Sequence, residues 1–259
     1  MHIPAFDGYV FDLDGTVYLG DTPLPGAPEA LAALRAAGRR VVFLSNNPTK
    51  TREQYARKLS GMGIPATPDE IVNSSLAMVR WLLREAPGSR VFVVGEQPLK
   101  DDLTAAGFRL TERPGEIDVV ISSFDRTFTY QKLQIAFDAI RAGARFVATN
   151  PDRYCPVPGG GEPDCAAMTA AIEACTGRPV EVVVGKPSPI MVEIVGELVG
   201  LPLDRCLMVG DRLGTDIAMG KAAGMATALP LTGETSHELL AVSEIQPDYV
   251  LEGLMDLVV

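Results

Sequence analysis

Histidine is almost absent from the chain. Only His2 and His237 occur among 259 residues, so a Ser-His-Asp triad or a Cys-His pair would have to use a histidine near one end of the sequence. A zinc site built from several histidines is excluded by their number. The four cysteines, at positions 155, 165, 175 and 206, form no Cys-x-x-Cys pair. Because a chain of this length does not depend on disulfides, we expect free thiols in a reducing cytoplasm.

Basic charge and long apolar runs are also scarce. The chain has 23 Lys and Arg against 33 Asp and Glu, a net charge of −10. This balance disfavours binding to duplex nucleic acid or to an anionic membrane surface, since both require a basic face. No uncharged apolar run approaches the roughly 18 residues of a membrane span, and we see no signal peptide at the N-terminus. We therefore expect a cytoplasmic globular protein without nucleic-acid or membrane partners.

Short apolar strands alternate with helices along the chain. Strands are predicted at residues 9–13, 41–44, 91–94, 119–121, 146–148, 182–184, 206–209 and 226–230. Helices are predicted at 27–37, at 74–85, and from a capping box at Thr51-Arg-Glu-Gln54 to Gly61 or Gly63. The alternation favours an α/β architecture with mainly parallel sheets. The stretch 155–163 is rich in proline and glycine and predicts an irregular loop.

Carboxylates follow two of the predicted strands. Asp12 and Asp14 stand two residues apart at the end of the strand 9–13, where strand geometry points both side chains to the same side. Two carboxylates this close repel each other unless a cation intervenes. Asp211 and Asp216 follow the strand 206–209, although a single aspartate at a helix start is more often a cap than a ligand. In open α/β sheets, ligands bind at the carboxyl ends of strands.

Phosphate-binding residue types follow two further strands. Ser45 and Asn46 come after the strand 41–44, where a hydroxyl and backbone N–H groups ahead of a helix form an anion site; helix capping needs the same residue types. Lys186 follows a three-valine strand and is not part of a P-loop, since position 180 is Val.

The four groups together point to phosphoryl transfer at a metal site. Hard carboxylate oxygens suit Mg²⁺, and phosphoryl transfer consists mainly of positioning and charge neutralisation. A carboxylate that forms an aspartyl-phosphate is known chemistry for such sites.

The order of these motifs resembles the haloacid dehalogenase superfamily of phosphatases. The match is closest to the NagD / AraL / 4-nitrophenylphosphatase branch and covers nearly the whole chain, with LSNNPTK, ATNPD, VVGKPSP and GDRLGTDIAMG as its most similar blocks. The resemblance implies a Mg²⁺-dependent phosphatase that hydrolyses small phosphomonoesters, such as sugar phosphates or related metabolites, through an aspartyl-phosphate intermediate.

The resemblance also implies roles for the acidic residues. Asp12 would be the nucleophile and a metal ligand. Asp14 would protonate the leaving group and then activate the hydrolytic water, while its backbone carbonyl binds the metal. Asp211 would bind the metal directly, and Asp216 would orient a metal-bound water or the lysine.

The remaining implied roles concern the phosphoryl group. Ser45 and the backbone N–H of Asn46 would hold phosphate oxygens, and Lys186 would neutralise the nucleophile and the transferring phosphoryl group.

About 140 residues separate Ser45 from Lys186, although both must reach one phosphate. We therefore predict a Rossmann-like, doubly wound parallel-sheet core formed by residues 1–87 and 181–259, with an α/β cap inserted at 88–180. Residues 17–25 would form a small hairpin after the nucleophile. The loop from Asn150 to Pro163 is a candidate for contact with the leaving group, and a purely structural loop is an equal alternative.

Other functions remain open at this point. Phosphoglycolate or pyridoxal-phosphate phosphatases belong to related branches; a pyridoxal ring would require an aromatic or histidine clamp, and the loop offers Tyr154 but no histidine. A non-catalytic phosphate-binding module is disfavoured by the intact acidic and lysine set, and a kinase by the missing glycine loops. The resemblance is compatible with a homodimer formed through the cap.

Overall fold

The predicted apolar runs form two parallel sheets with helices packed against them. The computed structural model describes residues 3–258. Its strands are β1 (Gly8–Asp12), β2 (Tyr18–Leu19), β3 (Thr22–Pro23), β4 (Arg40–Ser45), β5 (Ile71–Asn73), β6 (Arg90–Val94), β7 (Arg109–Leu110), β8 (Val119–Ser122), β9 (Arg145–Ala148), β10 (Tyr154–Val157), β11 (Gly160–Pro163), β12 (Val182–Val183), β13 (Cys206–Val209), β14 (Ala226–Pro230) and β15 (Tyr249–Leu251). Its helices are α1 (Ala27–Ala36), α2 (Arg52–Gly61), α3 (Ser74–Glu85), α4 (Gln97–Ala105), α5 (Tyr130–Arg141), α6 (Cys165–Thr176), α7 (Pro189–Val199), α8 (Ala218–Ala222) and α9 (His237–Val242).

The larger sheet has six parallel strands in the order β15-β14-β13-β1-β4-β5. Strand β1 is central and buried along its whole length, with Asp12 opposite Leu44 of β4 and Phe11 opposite Val209 of β13. Because the strands are parallel, the residues that follow β1, β4 and β13 meet at one edge. We call this sheet and its helices the core.

The second sheet has five parallel strands in the order β12-β9-β8-β6-β7. We call residues 90–183, which supply these strands, the cap. Strand β12 pairs with β9 of the cap, so the chain returns to the core only after Val183. The predicted α/β fold with mainly parallel sheets is confirmed; the limits 88 and 180 of the inserted domain stay a prediction.

Local sequence signals set the helix ends. At the predicted capping box, the Gln54 backbone N–H donates to Thr51 Oγ1 at 3.3 Å, and the Thr51 N–H donates to Gln54 Oε1 at 2.8 Å. The predicted helix 74–85 has those limits, and Asn73 caps it by accepting the Leu76 N–H at 2.9 Å. No helix among residues 3–258 is long and apolar enough to span a bilayer.

The prediction of an irregular loop at 155–163 was wrong. These residues lie in an antiparallel hairpin, in which Cys155 pairs with Glu162 and Pro156 with Gly161. Proline is tolerated because each strand of a two-stranded ribbon has one unpaired edge, and a proline whose nitrogen faces that edge breaks no ladder bond. Gly159 turns the chain with φ of +85°. The hairpin extends the cap toward the carboxyl edge of the core sheet.

Gly220→Ala in α8 should lower the free energy of unfolding by about 1–3 kcal/mol. An added Cβ would lie 2.6 Å from Thr227 Cγ2 and 2.9 Å from Met208 Cβ, and overpacking of this kind is destabilising. Helix propensity alone predicts the opposite sign, a gain of about 0.5–1 kcal/mol. Gly196→Ala in α7 is the matched control, because its Cβ would meet only Leu203 Cδ1 at 3.9 Å. Denaturant unfolding should give a lower free energy of unfolding for Gly220→Ala and a higher one for Gly196→Ala. A higher value for both variants would contradict the predicted steric crowding at Gly220.

Candidate active site

A buried lysine and two aspartates meet at the carboxyl edge of the core sheet. Asp12 is the last residue of β1, and its Oδ1 accepts a hydrogen bond from Lys186 Nζ. Lys186 Nζ also donates to Asp216 Oδ1 at 2.7 Å. Burial alone would lower the pKa of Lys186, but the carboxylates of Asp12 and Asp216 outweigh it and raise the pKa above its ordinary value. The lysine is therefore held as a cation between two carboxylates.

A third carboxylate leaves this cluster with excess negative charge. Carboxylate oxygens of Asp12, Asp211 and Asp216 lie within 4.8 Å of one another. Burial raises the pKa of Asp12 well above its ordinary value, and burial with the neighbouring Asp216 raises the pKa of Asp211 to about 6. One lysine lies beside three carboxylates, so the ionised cluster keeps a net negative charge. A set of hard oxygen donors with uncompensated charge fits a divalent cation such as Mg²⁺.

Backbone and side-chain contacts fix Asp211. Thr16 Oγ1 donates to Asp211 Oδ1 at 3.3 Å, and the Glu234 backbone N–H donates to Asp211 Oδ2 at 2.6 Å. Gly15, with φ of +91°, passes so close that an added Cβ would lie 2.7 Å from Asp211 Oδ2. Only glycine combines this backbone angle with this approach. The loops after β1, β13 and β14 are therefore locked together around one carboxylate.

Asp14 lies beside the cluster, on the loop after β1. Tyr18 OH approaches Asp14 Oδ2 at 3.5 Å. Burial raises the pKa of Asp14 above its ordinary value, which favours the protonated form that a proton donor requires.

Ser45 is the last residue of β4 and Asn46 follows it, on the other side of Asp12 from β13. Ser45 Oγ accepts the Asn47 backbone N–H at 3.1 Å. Asn46 reaches toward Lys186: its Oδ1 accepts the Lys186 backbone N–H at 2.7 Å, and its Nδ2 donates to the Lys186 carbonyl at 3.2 Å. The side chain of Asn46 thus fixes the segment that carries the lysine.

Asp152 joins the cap to two loops of the core. Its Oδ2 accepts from Asn46 Nδ2 at 2.8 Å, and its Oδ1 forms an ion pair with Arg212, which follows Asp211 in the chain. Arg212 also donates to the Tyr154 carbonyl at 3.0 Å and pairs with Glu234 Oε2 at 2.7 Å. Because Asp152 and Arg212 are both largely buried, this ion pair is little screened by solvent.

One cavity lies between core and cap. On the core side it is lined by Asp12, Asp14, Ser45, Asn46, Lys186 and Arg212. The cap contributes Asp152, Tyr154, Cys155, Pro156 and Asp164. Asp211 and Asp216 lie beneath it with no exposed surface. A ligand in this cavity would touch Asp12, Lys186 and the cap hairpin at once.

Comparison with known proteins identifies the family. A model described as haloacid dehalogenase-like hydrolase matches residues 9–109, and a HAD-hydrolase-like model matches residues 183–257. The sugar-phosphatase AraL of Bacillus subtilis is 41% identical over 249 residues, which cover 96% of this chain and 91% of that protein. The chain belongs to the haloacid dehalogenase-like hydrolase family.

Solved structures of this family share the whole fold. The 4-nitrophenylphosphatase of Thermotoga maritima superposes with a TM-score of 0.92 at 39% identity, covering 97% of this chain and 96% of that one. The glycerol phosphate phosphatase of Mycobacterium tuberculosis, solved in complex with magnesium, gives a TM-score of 0.89 at 34% identity over 97% of this chain and 76% of that one. The resemblance to the NagD / AraL / 4-nitrophenylphosphatase branch is confirmed, and phosphoric monoester hydrolysis is the activity of that branch.

The structure brings all the predicted site residues to one edge of the core sheet. Their assigned roles stay predictions. Lys186 is the exception in that it does not follow a strand of the core sheet. The strand before it, β12, pairs with β9 of the cap sheet and does not lie beside β4. Of the predicted contact loop, Asp152 and the hairpin residues Tyr154 to Pro156 line the cavity.

Sequence reasoning missed three features of the site. Arg212 stands inside the GDRLGTD block but was not singled out. Residues 231–235 hold Asp211 through the Glu234 N–H and Thr235 Oγ1; the available signal was the segment Leu-Thr-Gly-Glu-Thr, with its threonines and glycine, directly after a predicted strand. Asp164 lies one residue beyond the predicted contact loop.

Proposed function

We propose that this chain is a Mg²⁺-dependent phosphatase that hydrolyses small phosphomonoesters, sugar phosphates in particular, through an aspartyl-phosphate on Asp12. The carrying observation is that Lys186 Nζ bonds Asp12 Oδ1 and Asp216 Oδ1 beside Asp211. This arrangement leaves the second oxygen of Asp12 without a lysine contact, and Asp12 lines the same cavity as Ser45 and Asn46. The names of the relatives, sugar phosphatase and glycerol phosphate phosphatase, support a small polyol leaving group.

The residues divide the reaction into two displacements. In the first, an Asp12 oxygen attacks phosphorus while the Asp14 carboxyl gives its proton to the departing oxygen. In the second, Asp14, now a carboxylate, takes a proton from water as the water oxygen attacks the phosphorus, which returns Asp12 as a free carboxylate. Ser45 and the Asn46 backbone N–H hold the phosphoryl oxygens, and Lys186 offsets the charge that accumulates between phosphate and carboxylate.

Asp12, Asp211 and the backbone carbonyl of Asp14 would hold the Mg²⁺. When bound, it supplies the positive charge that lets a dianionic phosphate approach the carboxylates. Asp216 acts through other groups: its Oδ1 accepts from Lys186 Nζ and its Oδ2 accepts the Arg212 N–H at 3.1 Å. Asp216 therefore holds the lysine in place.

Phosphate release from 4-nitrophenyl phosphate and a panel of sugar phosphates tests this function. We expect release with Mg²⁺, a loss of at least about a hundredfold in excess chelator, and recovery when Mg²⁺ is added back, because the metal contributes several kcal/mol of charge stabilisation. Circular dichroism in each condition checks that the fold persists. Equal release in chelator would remove the metal from the proposal, and no release by folded protein would favour a non-catalytic phosphate-binding module.

A further inference from the structure

Asp164 presents an unused carboxylate oxygen to the cavity from the cap side. The residue is 3% exposed and lines the cavity. Its Oδ1 accepts the Cys165 backbone N–H at 2.5 Å and Asn150 Nδ2 at 3.1 Å. No hydrogen bond from within residues 3–258 reaches its Oδ2. This oxygen is not one of the fully buried polar atoms without a partner, so it is open to the cavity that Asp164 lines. Capping of α6 uses only the other oxygen, a task that Ser or Asn performs equally well.

The neighbouring carboxylate, Asp152, differs because both of its oxygens have hydrogen-bond partners. Arg212 occupies its Oδ1, while Asn46 and Asn150 occupy its Oδ2. Asp152 is therefore committed to joining cap and core. Of these two cap carboxylates, Asp164 is the one with an oxygen left for a ligand. Burial and the charge of Asp152 raise the pKa of Asp164 to about 7, as expected for a carboxylate that no cation contacts.

The cations of the cavity are already engaged. Lys186 and Arg212 are its lining cations in the described part of the chain. Lys186 is bound between Asp12 and Asp216, and Arg212 between Asp152 and Glu234. The cap side thus offers an acceptor oxygen and no uncommitted positive charge. A hydroxyl group on the leaving group can donate a hydrogen bond to this oxygen. A carboxylate or a second phosphate on the leaving group is instead repelled by the negative charge of Asp164.

We infer that Asp164 is a specificity-determining residue, which accepts a hydrogen bond from a hydroxyl of a neutral polyol leaving group and disfavours anionic leaving groups. The inference rests on the proposed phosphatase function and assigns the substrate class of that site. It also makes phosphoglycolate a poorer fit than sugar phosphates, since its leaving group carries a carboxylate.

Two phosphomonoesters that differ in one group test the inference. Glycerol 3-phosphate and 3-phosphoglycerate share a three-carbon skeleton, with a hydroxymethyl group in one replaced by a carboxylate in the other. Wild-type enzyme at pH 8, where the Asp164 carboxylate is largely ionised, should prefer glycerol 3-phosphate in kcat/KM. Asp164→Asn should shift the ratio of the two kcat/KM values toward 3-phosphoglycerate by about tenfold to a hundredfold, since hydrogen bonds to charged groups are of that strength.

Controls separate this inference from the phosphatase assignment. Asp164→Ser keeps a helix cap but withdraws the acceptor, and should shift the ratio in the same direction. Glu162→Gln removes the same charge two residues away, outside the cavity lining, and should leave the ratio unchanged. If wild-type enzyme hydrolyses both esters and Asp164→Asn keeps the wild-type ratio, Asp164 does not select the leaving group. If wild-type enzyme hydrolyses neither these esters nor 4-nitrophenyl phosphate, the phosphatase proposal itself fails.

Discussion

Asp12→Asn should reduce phosphate release by at least about a thousandfold while the protein stays folded. The amide keeps the shape of the side chain but cannot attack phosphorus, so the covalent route through this residue is lost. Stability should hold or rise at neutral pH. Burial raises the pKa of Asp12, and a raised carboxyl pKa means that the ionised form lowers the free energy of unfolding above that pKa. The measurements are single-turnover phosphate release with Mg²⁺ and thermal melting without it.

Asp69→Asn is the matched control, because its side chain is 96% exposed and it precedes β5, at the amino end of a strand of the core sheet. It should keep both activity and melting temperature. Turnover by Asp12→Asn near the wild-type rate would assign the nucleophile to another residue. If Asp12→Asn shows no folded state in thermal melting and also lacks activity, Asp12 is required for folding.

Buried parallel strands were predictable because each one is a continuous apolar run. Strands β1, β4, β13 and β14 are buried and mostly apolar on both faces, since helices cover both sides of the sheet. Short strands at the sheet edges escaped prediction. Strand β7 is an exposed two-residue edge strand, and β15 is a three-residue edge strand.

The part of the site that lies on the core sheet could be predicted, because parallel strands place their carboxyl ends at one edge of the sheet. Asp12 and Ser45 end strands of the core sheet and Asp211 follows another, so their proximity follows from the strand order. The contacts between core and cap had no local signature. The Asp152–Arg212 pair spans 60 residues, and the Asn46–Asp152 bond spans 106, and neither separation is encoded by spacing or periodicity. The free acceptor oxygen of Asp164 could be recognised only from the three-dimensional hydrogen-bond pattern, because the sequence around Asp164 predicts no more than a helix cap.

Lys186→Met should remove activity and stability together. Its Nζ is the cation between Asp12 and Asp216, and its side chain is 3% exposed. Loss of one partner from a buried ion pair costs about 3–5 kcal/mol of unfolding free energy, because the remaining charge stays uncompensated. Loss of charge stabilisation at the phosphoryl group should lower kcat by about a hundredfold to a thousandfold. Denaturant unfolding at neutral pH and steady-state phosphate release measure the two effects.

A second substitution distinguishes the charge imbalance from simple loss of packing. Lys186→Met combined with Asp216→Asn removes one of the two stranded carboxylates, so part of the lost stability should return while kcat stays low. Lys221→Met is the surface control: this lysine pairs with Asp248 at 3.1 Å with side chains 41% and 43% exposed, and its loss should change stability by less than about 1 kcal/mol. If the double variant is no more stable than Lys186→Met alone, the lysine supports the fold through its hydrocarbon stem and the electrostatic account of the site is wrong.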